Sequence, residues 1–358
     1  MARIEDIDKN LKVDTNIEKK NIKFLNPENA PFKIYGVFRD GDCFCRIPKE
    51  TAKKINDGVY YLNHHTSGGR ICFVTDSPYI VINAEVHKAD PMVHMAHVGI
   101  SGFDVYVKEN ANHYYKGSIK PLSHDCDIVE GIVELHNENE TYEVVVNMPL
   151  YGGVKKIHIG VDENSQIKAP QEYKISKPAV YYGSSITQGG CASRPGMAYQ
   201  AIISRELDCD FINLGFSGSA MAEQEITDYI KNLDMSLFVM DYDHNAPSLQ
   251  HLEATHEKMF KCIREKNPDL PILIMSRPKY YLTYEEEKRL EIIKSTYDNA
   301  VSKGDKNVCF IDGSTLMNDE IKDNGTVDGC HPTDLGFFSM AQRIIPVIKD
   351  IFKNIGKN

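Results

Sequence analysis

Two rhythms of apolar and polar positions divide the chain near residue 175. Before that point, apolar residues come in short runs rich in β-branched and aromatic side chains. These are Val59-Tyr60-Tyr61-Leu62, Arg70-Ile71-Cys72-Phe73-Val74, Tyr79-Ile80-Val81-Ile82-Asn83-Ala84, Phe103-Asp104-Val105-Tyr106-Val107 and Tyr142-Glu143-Val144-Val145-Val146. Turn-forming clusters separate them: Asn63-His64-His65, Thr66-Ser67-Gly68-Gly69, Asp76-Ser77-Pro78 and Glu109-Asn110. Many short strands with no long helical period between them predict a β-sandwich of jelly-roll type over residues 1–175.

Beyond it, uninterrupted apolar runs at 179–182, 211–214, 237–240, 272–275 and 308–311 alternate with amphipathic stretches at 197–207, 222–233, 249–264, 284–301 and 335–352. Strands apolar on both faces belong in a parallel sheet covered by helices on both sides. Residues 176–358 therefore predict a three-layer, flavodoxin-like α/β domain, whose sites gather at the carboxyl ends of the strands. Residues 163–178, which contain Pro170 and end in Pro178, read as the linker.

Composition narrows the function classes. Hydrophobic residues at 42% and charged residues at 26% provide for a packed core and exclude disorder. A net charge of −10 with no basic stripe argues against nucleic acid as a partner. The N-terminal stretch is charged throughout, without the apolar region of a signal peptide, and nowhere do eighteen apolar residues run together. No membrane partner is expected. The nine cysteines are odd in number and scattered, which fits reduced thiols and a cytoplasmic location. The oligomeric state stays open, a homo-oligomer included.

At the predicted strand ends stand Gly183-Ser184-Ser185-Ile186-Thr187-Gln188-Gly189-Gly190, Asn213-Leu214-Gly215-Phe216-Ser217-Gly218-Ser219, Asp241-Tyr242-Asp243-His244-Asn245 and Asp328-Gly329-Cys330-His331-Pro332. These are the parts that acyl transfer from serine needs: a nucleophile, a base, an orienter for the base and donors for an oxyanion. Ser185 is the expected nucleophile and His331 its base, with Asp328 fixing the imidazole tautomer. The Ser185 and Gly218 N–H groups and the Asn245 amide are the expected oxyanion hole. Arg194 and Ser184 are candidate substrate contacts.

In these blocks the chain resembles the SGNH, or GDSL-like, hydrolases, whose four blocks contribute Ser, Gly, Asn and His in that order. Ser184 stands where many members have Asp, and Asp243-His244-Asn245 where the third block usually reads G-x-N-D. Gly102-Phe103-Asp104-Val105-Tyr106 looks like the G-x-D-L-Y motif of a β-rich domain that precedes one bacterial branch of these enzymes. The resemblance implies a serine esterase without metal or cofactor. Its expected substrate is a short-chain O-acyl ester, above all an O-acetyl group on a sugar or oligosaccharide. An acyltransferase using the same acyl-enzyme, and a non-catalytic carbohydrate-binding protein, are the alternatives.

Other clusters carry weaker signals. A phosphate cradle at 183–190 lacks the lysine of the nucleotide-binding loop. Asp241, Asp243 and His244, or His87, His94 and His97, are conceivable metal ligands, but strand-mouth charges and packed loop histidines are the commoner explanation. Cys191 and Cys330 read as small packing residues.

Overall fold

The computed structural model describes residues 15–109, 112–135 and 141–355. The charged N-terminal stretch up to residue 14 and Asn110 of the predicted Glu109-Asn110 turn lie outside the described residues.

Among the described residues, twelve strands build the first part: β1 (Ile22–Leu25), β2 (Lys33–Tyr35), β3 (Phe38–Asp40), β4 (Cys43–Cys45), β5 (Arg70–Thr75), β6 (Tyr79–Val86), β7 (Phe103–Glu109), β8 (Asn112–Ile119), β9 (Ile128–Glu134), β10 (Tyr142–Asn147), β11 (Val154–Asp162) and β12 (Ile167–Lys168). One antiparallel sheet runs β1-β11-β6-β9 and the other β12-β5-β10-β7-β8, with β2 also on β5. Ile80, Ile82 and Ile159 from the first meet Phe73, Val105 and Val144 from the second in one dry core. This is the expected sandwich.

The second part holds β13 (Ile175–Gly183), β14 (Cys209–Gly215), β15 (Leu237–Asp241), β16 (Ile272–Met275) and β17 (Val308–Ile311), all parallel in the order β14-β13-β15-β16-β17. Alternate residues of each strand face opposite layers. Tyr181, Val239 and Leu273 enter one core, and Tyr182, Met240 and Ile274 the other. The expected three-layer architecture is present.

Three elements differ from the sequence expectation. The Val59-Tyr60-Tyr61-Leu62 run is not a strand. It forms helix α2 (Asp57–Leu62), which follows α1 (Lys49–Ile55). The Asn56 side chain accepts from the Val59 N–H and starts the helix, so apolar residues three apart, Val59 and Leu62, share the buried face while Tyr60 and Tyr61 are exposed. That face joins the core of the parallel sheet, so a piece of the N-terminal half covers the α/β layer. A short helix, α3 (His97–Ser101), precedes β7. The presumed linker is largely built in: Ile167 and Lys168 add β12 to β5, and Ile175 already pairs with Cys209.

β14 is an edge strand, and the sandwich covers it. Arg46, fully buried, donates to the Leu62 carbonyl at 2.7 Å, to the Asn213 carbonyl at 3.4 Å and to the Gly215 carbonyl, and its guanidinium lies 4.3 Å above the Phe216 ring. Arg70 pairs with the Asp210 carboxylate, donates to Phe211 O at 3.1 Å and stacks 3.9 Å over the Phe211 ring. An exposed strand edge invites pairing with other chains, and here its carbonyls are taken by arginines.

One further core group bears on stability. Asp241, at the end of β15, is buried beneath the 183–190 turn and accepts from Thr187 Oγ1 at 3.0 Å and Tyr199 Oη at 3.3 Å. Burial pushes its carboxyl up to about 8, further than the two hydroxyl bonds bring it down, with Asp243 adding to the rise.

Two stability predictions result. Arg70→Met leaves Asp210 buried without its cation and should cost about 3–5 kcal/mol in urea unfolding; a loss below about 1 kcal/mol, the range of exposed pairs, would contradict the described seam. For Asp241, the folded chain keeps a proton from about pH 4 to about 8 that the unfolded chain releases, so this group lowers stability as pH rises through that window. Asp241→Asn, neutral throughout, should match the wild type below about pH 4 and exceed it by a growing margin up to about pH 8. An unchanged pH slope would show that Asp241 is ionised in the fold.

Candidate active site

The carboxyl end of β13 turns directly into a four-residue helix, α4 (Ser185–Gln188). Ser184 is its N-cap, with a fully buried side chain that accepts from the Ile186 N–H at 3.2 Å. Its hydroxyl therefore faces the helix backbone, and the expectation of a substrate contact at Ser184 is corrected. Ser185, the first helical residue, is half-buried.

His331 reaches that hydroxyl from the loop before the last helix, with Ser185 Oγ 2.9 Å from His331 Nε2. On the other side of the ring, Nδ1 is 2.8 Å from Asp328 Oδ2. The aspartate also folds its own turn, because Oδ1 accepts the backbone N–H groups of Cys330 at 3.0 Å and His331 at 2.8 Å. Burial raises the Asp328 carboxyl, but these bonds outweigh it and hold it at about 2. An ionised carboxylate can only accept, so Nδ1 carries the imidazole proton and Nε2 presents its lone pair to the serine. Ser185, His331 and Asp328 thus form one continuous hydrogen-bonded chain.

Two groups of donors lie close to the serine turn. Ser185 is the first residue of α4, so its N–H has no intrahelical partner. Gly218 sits in the loop after β14 with φ of 67°, and space is open where a side chain would begin. Glycine takes that left-handed backbone without strain and leaves the N–H uncovered. Gln188 ties the two turns together, its Oε1 accepting the Ser217 N–H at 3.0 Å. Asn245 donates one amide hydrogen to Phe216 O at 2.8 Å and keeps a second for another acceptor.

The third block is anchored by its aspartate. Arg277 donates to Asp243 from Nε at 2.9 Å and Nη2 at 3.0 Å, and Arg289 from Nε at 2.7 Å. Burial raises the Asp243 carboxyl, but the guanidiniums pull it down to about 2. Both oxygens are thus engaged by arginines, and Asp241 faces Thr187 and Tyr199, so these residues do not converge as a metal site.

The sandwich contributes to the surroundings. The Tyr151 hydroxyl donates to Ser185 O at 3.3 Å, Ser67 Oγ to Gln188 O at 2.6 Å, and Gln188 Nε2 to His65 Nδ1 at 3.2 Å. Asp104 of the G-x-D-L-Y-like motif is fully buried and accepts from Asn147 at 2.7 Å, the Gly196 N–H at 2.8 Å and Arg194 at 2.9 Å. Arg194 also lies 4.0 Å over the Tyr115 ring. Arg194 is therefore a tie between the two halves. His94 and His97 part company: the His94 ring lies 5.7 Å from that of His331, and the His97 ring 6.2 Å from that of His124. Sequence reading missed Arg46, Gln188 and the latch role of Asp104; only Asp104 carried a signal, its place in the motif.

Comparison with known proteins finds matches for both halves of the chain. Residues 176–349 match the profile of the GDSL-like lipase/acylhydrolase family, and residues 22–167 match that of the N-terminus of SGNH-hydrolase-type esterases, GxDLY. No curated protein sequence matches the chain. Among solved structures, one described as a GDSL-like lipase from Bacteroides ovatus is 29% identical, with a TM-score of 0.83 over 93% of this chain and 98% of that one. A salicylyl-acyltransferase from a tetracycline biosynthetic pathway is 19% identical, with a TM-score of 0.74 over 91% of this chain and 96% of that one. An acetyl xylan esterase from Butyrivibrio proteoclasticus is 11% identical, with a TM-score of 0.59 over 93% of this chain and 99% of that one. Residues 176–349 thus match the GDSL-like lipase/acylhydrolase family model and residues 22–167 the GxDLY model, in that order along the chain, which supports a carboxylic ester hydrolase.

Proposed function

We propose that the chain is a serine esterase that removes short O-acyl groups, in the first place O-acetyl groups, from a sugar or oligosaccharide. The observation that carries the mechanism is the chain of contacts from Ser185 Oγ to His331 Nε2 at 2.9 Å and from His331 Nδ1 to Asp328 at 2.8 Å. His331 takes the Ser185 proton as Oγ attacks the ester carbonyl, and Asp328 stabilises the imidazolium that forms. The Ser185 and Gly218 N–H groups and the free Asn245 amide hydrogen hold the oxyanion. The proton then passes to the leaving sugar alcohol, and a water activated by the same histidine releases the acyl group. The acetyl xylan esterase among the structural neighbours supports acetylated carbohydrate as the substrate class.

A second reading has its own support. The acyltransferase neighbour overlays better than the acetyl xylan esterase, with a TM-score of 0.74 against 0.59. In that reading the same acyl-Ser185 passes its group to an alcohol in place of water. Product analysis with and without an alcohol acceptor separates the two: free acid at an unchanged rate marks the esterase, and acylated acceptor at the expense of acid marks the transferase.

Ser185→Ala and His331→Ala should each lower kcat/KM on a chromogenic acetyl ester by about 10⁴-fold or more, with the unfolding midpoint unchanged. Ser184→Ala should keep most of the activity. Loss in Ser184→Ala with retention in Ser185→Ala would put the nucleophile one residue earlier. EDTA should not lower the rate; a loss that zinc restores would contradict the serine mechanism.

A further inference from the structure

One His/Cys cluster shares His331 with this chemistry and adds two residues that the chemistry does not use. Ligand atoms of His94, Cys191 and His331 all lie within 4.8 Å of one another. They come from three places: the stretch between β6 and α3 of the sandwich, the turn after α4, and the loop that carries His331. We propose that these residues form a binding site for a soft, tetrahedral divalent cation of the Zn²⁺ type, and that its occupancy switches the esterase off. The switch rests on the catalytic reading above; the site does not.

The donor set fits such an ion, since two imidazoles and one thiolate suit zinc and exclude harder oxygen-seeking cations. Bond lengths of about 2.0–2.3 Å in a tetrahedron place ligand atoms about 3.3–3.7 Å apart, so closure requires a shift of about 1 Å. His94 can supply it, because it is exposed on an irregular stretch, whereas Cys191 is buried and His331 is held by Asp328. The two halves are pressed together at this point: a side chain added at Gly99, in α3, would meet the carbonyl oxygen of Ala192 at 2.2 Å. This contact lies five residues along the chain from His94.

His331 has one nitrogen to offer. Nδ1 is engaged by Asp328, which leaves Nε2 as the ligand, and a carboxylate behind a ligating histidine fixes the ring and raises its basicity. The same lone pair is the one that would take the Ser185 proton, so cation and proton compete for a single electron pair. Water or Ser185 Oγ would complete the tetrahedron. Cys330 Sγ faces His244 Nδ1 at 3.7 Å and is not part of the set.

Cobalt(II) titrated into the full-length Ser185→Ala variant tests the site without any need for activity. The expected result is a thiolate-to-cobalt charge-transfer band together with the intense visible bands of tetrahedral cobalt. Adding Cys191→Ser should remove the charge-transfer band, and adding His94→Ala should weaken binding at least about tenfold. In the active enzyme, Zn²⁺ should inhibit reversibly and EDTA should restore the rate. His94→Ala and Cys191→Ser, which leave Ser185, His331 and Asp328 in place, should keep the uninhibited rate and need at least about tenfold more Zn²⁺ for the same inhibition. Absence of the thiolate band, or zinc inhibition unchanged in both variants, overturns the proposal. A thiolate–cobalt spectrum in a chain without esterase activity supports the site and counts against the catalytic reading instead.

Discussion

The molecule depends on covering one edge. β14 lies at the border of the parallel sheet and carries, at its carboxyl end, the loop with Gly218. Left bare, its carbonyls would be a row of unpaired acceptors beside the reacting groups. The sandwich closes that edge with Arg46 on the Asn213 and Gly215 carbonyls and Arg70 on Asp210 and the Phe211 carbonyl. Buried guanidiniums are costly unless their donors are used, and here they fix the position of one half against the other. The two halves therefore act as one structural unit, although their sequences have different periods.

The same seam supports the candidate chemistry. Gln188 has its backbone carbonyl held by Ser67, its amide nitrogen by His65 and its amide oxygen by the Ser217 N–H. Serine turn and oxyanion loop are thus set against each other through one side chain that the sandwich grips. Asp104 does the corresponding work on the 194–196 segment. This gives a physical reason for the aspartate in the G-x-D-L-Y motif: a buried carboxylate needs several donors, and the catalytic half supplies two of the three.

Much of this was legible in the sequence. The five parallel strands were readable because strands buried on both faces are apolar without alternation, as in Ile272-Leu273-Ile274-Met275. Ser185 stands just past the end of β13, and Asp328 and His331 lie in the loop before the last helix, each in a recognisable block. Val59-Tyr60-Tyr61-Leu62 misled because β-branched and aromatic residues favour strands locally, while the Asn56 cap and packing onto the other half decided for a helix. The tie made by Arg194 was not legible because its partner Asp104 is 90 positions away. His94 came to lie beside His331 through domain packing, which no local pattern encodes.

The most direct measurement of the central claim is covalent trapping. A fluorophosphonate reacts with a serine only where a base and an oxyanion hole are assembled around it. Peptide mass spectrometry of the treated full-length protein should place one phosphonyl adduct on Ser185, and His331→Ala should not be labelled under the same conditions. An adduct on another residue, or equal labelling of Ser185 without His331, would contradict the account.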